Sequence, residues 1–261
     1  MAQVSSISRV GTTEPFYLQV ARNQISFHKS NFKFGFNADI DDSLETVWAQ
    51  GGLYSYLASA SVLKVSSSST ADTSAGTGAR TVELFGLDTN YDEINETVTL
   101  NGQTAVNTTK EYLRINRMVV RSAGSGGQNA GVIYAGTGTV TTGVPANKYA
   151  TIAIGDNQTV MALWTVPRGY TAYLLQTDIT VATTQNNKYC TVHLVARPDG
   201  EVFQIKDKFV KAESSVHQTY TIPLKFEEKT DIEVRAIGDS AGADIAISAG
   251  LDIIYIQNDG A

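Results

Sequence analysis

From Asp244 to Tyr255 the chain alternates. Ile245, Ile247, Ala249, Leu251, Ile253 and Tyr255 hold one set of alternate positions, and Asp244, Ser248 and Asp252 fall among the others. Successive side chains of an extended strand point to opposite faces, so this pattern predicts a strand with one buried and one wet face. Similar runs recur upstream. Val82 and Leu84 share a face, as do Val98 and Leu100 with Thr97 and Thr99 opposite. "YLRINRMVVRS", "AGVIYAG", "QTVMALWTVP" and "KYCTVHLVAR" read as strands, and so do "EVFQIKDKFV", "VHQTYTIPL" and "TDIEVRAIG". In "TAYLLQTDITV" the period puts Tyr173, Leu175, Thr177, Ile179 and Val181 on one face. Polar and glycine-rich punctuation separates the runs: "SSSSTADTSAGTGA", "AGSGGQNAG" and the Pro198-Asp199-Gly200 turn. Short strands at such spacing predict an all-β fold, with antiparallel β-sandwich domains of jelly-roll-like form.

The first 52 residues break the pattern. Phe16, Phe27, Phe32, Phe34 and Phe36 lie in a stretch of amides and basic residues with no local core of their own. Aromatics there must bury on the body or on a neighbouring molecule. The expected organisation is therefore an extended N-terminal arm over 1–52, a β domain over 53–155 and a C-terminal β-sandwich over 156–261. "DDSLETVW" predicts one helical turn capped by Asp42 or Ser43. Phe16, Arg22, Phe27, Lys33, Phe34, Phe36 and Trp48 are the candidate attachment residues, with Trp48 at the junction of arm and body. The arm serves self-association, for example as a trimer, and docking on other proteins.

Charge narrows the partners. The net charge is −6, yet residues 1–35 carry Arg9, Arg22, Lys29 and Lys33 against Glu14 alone, a basic arm on an acidic body. Phosphate contacts need clustered cations, so nucleic acid is not an expected partner. No apolar run is long enough to span a membrane, and "MAQVSSISRVGTTEP" has no signal-peptide core. The single cysteine, Cys190, sits in a strand-like run and reads as a small buried hydrophobe.

Candidate chemistry is sparse. In "GLDTNYDEINE", Asp88, Asn90 and Asp92 match positions 1, 3 and 5 of a calcium loop, but Glu93 stands where a glycine is required and Thr99 where the closing glutamate belongs. The segment reads as a hairpin turn with its acids in water; a weak divalent site is the alternative. "GSGGQNAG" opens a β-prone run rather than a helix, so it reads as a connection and not a phosphate loop. His28, His193 and His217 share no metal-ligand spacing, and Asp41–Asp42 and Glu227–Glu228 read as solvated charge. No cofactor or reaction is expected. Tyr170 and Tyr220 are candidates for exposed, sugar-stacking aromatics.

The segments "GTTEPFYLQVARNQI", "FGFNADIDDSLETVWAQGGLYSY" and "DTSAGTGARTVELFGLDTNYDEINETVTLNGQTAV" resemble a family of virion structural proteins of tailed bacteriophages, especially marine, cyanophage-like ones. "NQTVMALWTVPRGYTAYL" and "KFEEKTDIEVRA" share its style. The resemblance implies a virion component without a cofactor; within that class the expected role is a tail- or fibre-associated adaptor or attachment protein. A capsid decoration protein and a host-surface carbohydrate-binding module are the alternatives.

Overall fold

The structure is a computed structural model that describes residues 8–9, 12–183, 185, 188–242 and 244–259. In chain order it contains β1 (Ser8–Arg9), β2 (Thr12–Thr13), α1 (Phe16–Ala21), β3 (His28–Ile40), β4 (Glu45–Thr46), β5 (Ser61–Ser67), β6 (Ala79–Leu87), β7 (Glu93–Thr99) and β8 (Val106–Tyr112). There follow β9 (Arg114–Ala123), β10 (Ile133–Thr141), β11 (Val144–Ile152), β12 (Leu163–Thr165), β13 (Tyr170–Thr183) and β14 (Cys190–Arg197). The last are β15 (Gln204–Lys211), β16 (Ser214–Phe226), β17 (Asp231–Gly238) and β18 (Ile245–Gln257). All pairings are antiparallel.

Four sheets enclose two apolar cores. One core lies between the sheet β16-β13-β18-β3 and the sheet β12-β17-β14-β15, with β4 also on β17. Every apolar residue of the alternating run from Ile245 to Tyr255 belongs to it, as do Trp164 and Cys190. Burial pushes the Cys190 thiol up to about 11. The other core lies between β11-β10-β5-β8 and β7-β6-β9.

β4 and β12 are two pieces of one strand. Glu45 and Thr46 face Ala236 and Arg235 of β17, and Leu163, Trp164 and Thr165 continue the same edge against Glu233, Ile232 and Asp231. At the seam the Val47 amide donates to Val234 (2.9 Å), the Val234 amide to Ala162 (2.9 Å) and the Ala162 amide to Val47 (2.9 Å). The chain leaves the edge at Val47 and returns at Ala162, so residues 48–161 are an insertion into a strand of the other sandwich. Counting β4 with β12 as one position, the eight strands run 1-8-3-6 in one sheet and 2-7-4-5 in the other, the order of a jelly roll. That order is confined to this sandwich; the inserted unit, with sheets of three and four strands, lacks it.

This arrangement corrects the linear division at residues 52 and 155: the units are nested, not tandem. It also corrects the arm. Residues 28–40 form strand β3, paired with β18 from His28↔Ile256 to Ile40↔Ile245. Alternate side chains of β3 turn inward, and Lys33, Asn37 and Ile40 are buried. Gly35 is needed there, because a Cβ would stand 2.2 Å from the Ala162 amide nitrogen and 2.3 Å from the Val47 carbonyl at the seam. "DDSLETVW" makes no helical turn: Glu45 and Thr46 gain more from completing the sheet edge than from local capping, and both are buried. In β13 a bulge between Leu174 and Gln176 resets the alternation, so Ala172 and Leu174 face the core with Thr177, Ile179 and Val181, while Tyr173 does not. The expected start of the arm at residues 1–7 and 10–11 lies outside the described residues.

Candidate binding face

The side of β3 turned away from the core carries Phe32, Phe34 and Phe36. Register extends each across all four strands. One row is Phe32, Asp252, Gln176 and Thr219; the next is Phe34, Gly250, Asp178 and His217; the third is Phe36, Ser248, Thr180 and Ser215. The outer face is thus an aromatic ladder on an edge strand, flanked by a polar field. Phe32 and Phe34 stack with centroids 5.7 Å apart and planes 22° from parallel. Gly250 makes room for them: a Cβ there would stand 3.1 Å from the Phe32 ring. Phe32 remains 56% exposed and Phe36 42%.

The polar field is internally tied. Gln176 Nε2 donates to both carboxylate oxygens of Asp178, at 2.9 and 3.1 Å, while Gln176 Oε1 accepts from Thr219 Oγ1 at 3.2 Å. His217 Nδ1 meets the Asp178 carboxylate. The Asp252 carboxyl is held above its usual range by burial and by the negative charge of Asp178.

α1 folds over one end of this face. Phe16 meets His28 edge-on at 5.9 Å, and Tyr17 and Leu18 lie exposed beside it. Between α1 and the sheet is a cleft of about 470 Å³ lined by Tyr17, Ser30, Phe32, Gln176, Thr219 and Asp252, among others. The turn from α1 to β3 holds Phe27 at φ 66, a left-handed conformation unfavourable for a bulky side chain, with its ring 66% exposed.

The seven candidate attachment residues therefore divide. Phe34 and Phe36 stand on the outer face, Phe16 packs on His28 at its end, Phe27 is exposed in the turn before β3, and Arg22 pairs with Glu14. Lys33 points the other way, donating to the Asn116 carbonyl of the inserted unit. Trp48 is buried in the core of the inserted unit, its Nε1 donating to the carbonyls of Gly51 (2.9 Å) and Gly52 (3.0 Å). Tyr170 and Tyr220 are not free stacking surfaces: both pack on the jelly-roll core, and the Tyr220 hydroxyl donates to Asp207 at 3.0 Å. Gln176, Asp178 and Asp252, none of them a candidate site residue in the sequence, are brought beside the phenylalanines by cross-strand register.

The acidic segment is a turn. Asp88 Oδ1 accepts from the amides of Asn90 (2.8 Å) and Asp92 (3.0 Å), and Tyr91 takes a positive φ of 64. Its acids are not all left to water, since Asp92 holds Arg168 through two bonds of 2.9 and 2.7 Å. Among the described residues no group of three His, Cys, Asp or Glu side chains is placed to hold a metal ion. None of the helices described is long and apolar enough to cross a membrane.

No protein-family model and no curated protein matches the chain. Among solved structures it is similar to that of infectious bursal disease virus, Gt strain, at 12% identity and a TM-score of 0.24, over 90% of this chain and 74% of that one. A likeness at that score carries no argument about this chain.

Proposed function

We propose that the chain is a non-enzymatic virion structural protein of a tailed bacteriophage, a tail- or fibre-associated attachment component assembled with copies of itself and other virion proteins. The observation that carries this reading is the aromatic ladder. Phe32 and Phe36 are exposed on one sheet face, and the exposed Phe16 and Tyr17 of α1 lie at the His28 end of the same strand. Contiguous exposed aromatics on a soluble body mark a surface meant to be covered. The body behind them suits a particle component. Asp231 on β17 binds Arg114 of the inserted unit at 2.8 and 3.1 Å, Arg197 of β14 and Thr165 of β12, all in or near a buried setting. The resemblance in sequence supports the class of particle.

Purified particles test the proposal by quantitative gel densitometry together with the position of the chain in an electron-microscopy map. The expected result is a small number of copies at the tail. A copy number that matches the repeating sites of the shell makes it a decoration protein instead, and absence from the particle overturns the reading.

A further inference from the structure

The cleft between α1 and the outer sheet face combines groups that neither the core nor the seam uses. We propose that it binds a neutral oligosaccharide, with Phe32 and Tyr17 as stacking walls and Asp252, Gln176 and Thr219 as partners for sugar hydroxyls. This deepens the attachment reading by naming a ligand class.

Three features point to a sugar. First, the walls are two aromatic rings left 56% and 59% exposed, on either side of a cleft of about 470 Å³, room for a ring or two. An aromatic face covers the C–H face of a pyranose and excludes water from it. Second, the floor is a preformed row. Thr219, Gln176, Asp252 and Phe32 are successive cross-strand partners, so their spacing is set by four paired backbones rather than by a loop. Gln176 is fixed by its bonds to Asp178 and Thr219 and does not need to be ordered on binding. Third, among the described residues the Asp252 carboxylate meets no hydrogen-bond donor, although it lies partly buried in the middle of this row. A carboxylate is an acceptor with two oxygens, and a vicinal pair of hydroxyls supplies two donors.

Charge selects among sugars. No Lys or Arg lines the cleft, and Asp178 adjoins it, so uronic acids, sialic acids and phosphorylated sugars are repelled. An amine would be drawn to the same carboxylate, but an ammonium only donates, so it offers no acceptor to the Ser30 hydroxyl. A polyhydroxylated ring both donates and accepts.

The test uses the full chain. Arrays and isothermal titration with neutral hexose oligosaccharides, amino-sugar oligosaccharides and uronic-acid oligosaccharides should show binding to neutral members. Phe32→Ala and Asp252→Asn should each weaken it at least about tenfold, the loss expected from one well-formed contact. Val202→Ser, at an exposed site outside the cleft, should leave it unchanged, with melting by circular dichroism confirming the fold of each variant. If Phe32→Ala fails to fold, Tyr17→Ala replaces it. Absence of binding to every neutral glycan, indifference to both substitutions, or preference for amine or acidic ligands overturns the proposal. A chain that sits at the tail yet binds no glycan would sink this inference alone, whereas glycan binding by a chain absent from particles would sink only the virion reading.

Discussion

Lys33 shows what a single residue costs and does in this fold. It takes an inward position on β3, opposite Leu251, and reaches the Asn116 carbonyl on β9. Burial, and then the positive charge of Arg117, bring its ammonium down from 10.5 to about 7. Between those two values the unfolded chain keeps a proton that the folded chain has released. By linkage, stability therefore rises with pH across roughly 7 to 10.5 and is indifferent to this group below 7. Lys33→Met should abolish that rise. Urea midpoints at pH 7.5 and 9.5 should show the wild type gaining about 2 kcal/mol more than the variant; equal gains would mean that Lys33 is hydrated. Asp72 is a second residue that composition concealed. It is fully buried and accepts from Ser67 Oγ (2.5 Å) and from the amides of Ala79 (2.7 Å), Ala130 (2.8 Å) and Gly131 (2.9 Å). One carboxylate thus fastens "SSSSTADTSAGTGA" to "GSGGQNAG", two tracts that read as loose connections because nothing in their letters says which acid is taken out of water.

At the scale of elements, β3 and β18 carry the same kind of information with unequal clarity. In β18 the buried set is Ile, Ala, Leu and Tyr, so alternation alone names the inner face. In β3 the polarity is inverted: Asn31, Lys33, Gly35 and Asn37 turn inward, and Phe32, Phe34 and Phe36 turn out. The period was there to be read, but a rule that buries the hydrophobic set assigns the wrong face. The short α1 escaped because its six residues carry no acidic first turn and no capping side chain. The segment that the sequence assigned to an attachment arm is structural, and truncation separates its parts. Removing residues 1–21 takes away α1 and the packing of Val20, a loss of about 2 kcal/mol with the β-sheet spectrum retained. Removing residues 1–40 strips β18 of its partner and should give an insoluble chain. A soluble, cooperatively melting product of the longer deletion would restore the arm.

For the whole molecule, the all-β class and the strands from β12 to β18 were legible, while β3, β8, β11 and the nesting were not. Two stretches as short as Glu45–Thr46 and Leu163–Thr165 carry too little periodicity to be recognised as halves of one strand, and their reunion depends on β17 alone. The units are then coupled by charge: Arg114 to Asp231, Arg168 to Asp92, and Lys29 to Glu93. The exposed pairs contribute little, but Asp231 is buried with two arginines around it. Asp231→Ala leaves both guanidinium groups short of a counter-charge and should cost on the order of 3–5 kcal/mol. Calorimetry should resolve the single transition into two as the inserted unit loosens from its base; an unsplit, unshifted transition would show that apolar contacts do the coupling. Because Val47 and Ala162 lie hydrogen-bonded side by side, the two ends of the insertion leave the jelly roll through one doorway. Any module whose own ends lie a hydrogen bond apart can be spliced there without disturbing a single rung of the sheet below, which makes the seam a ready point for exchanging what the base displays.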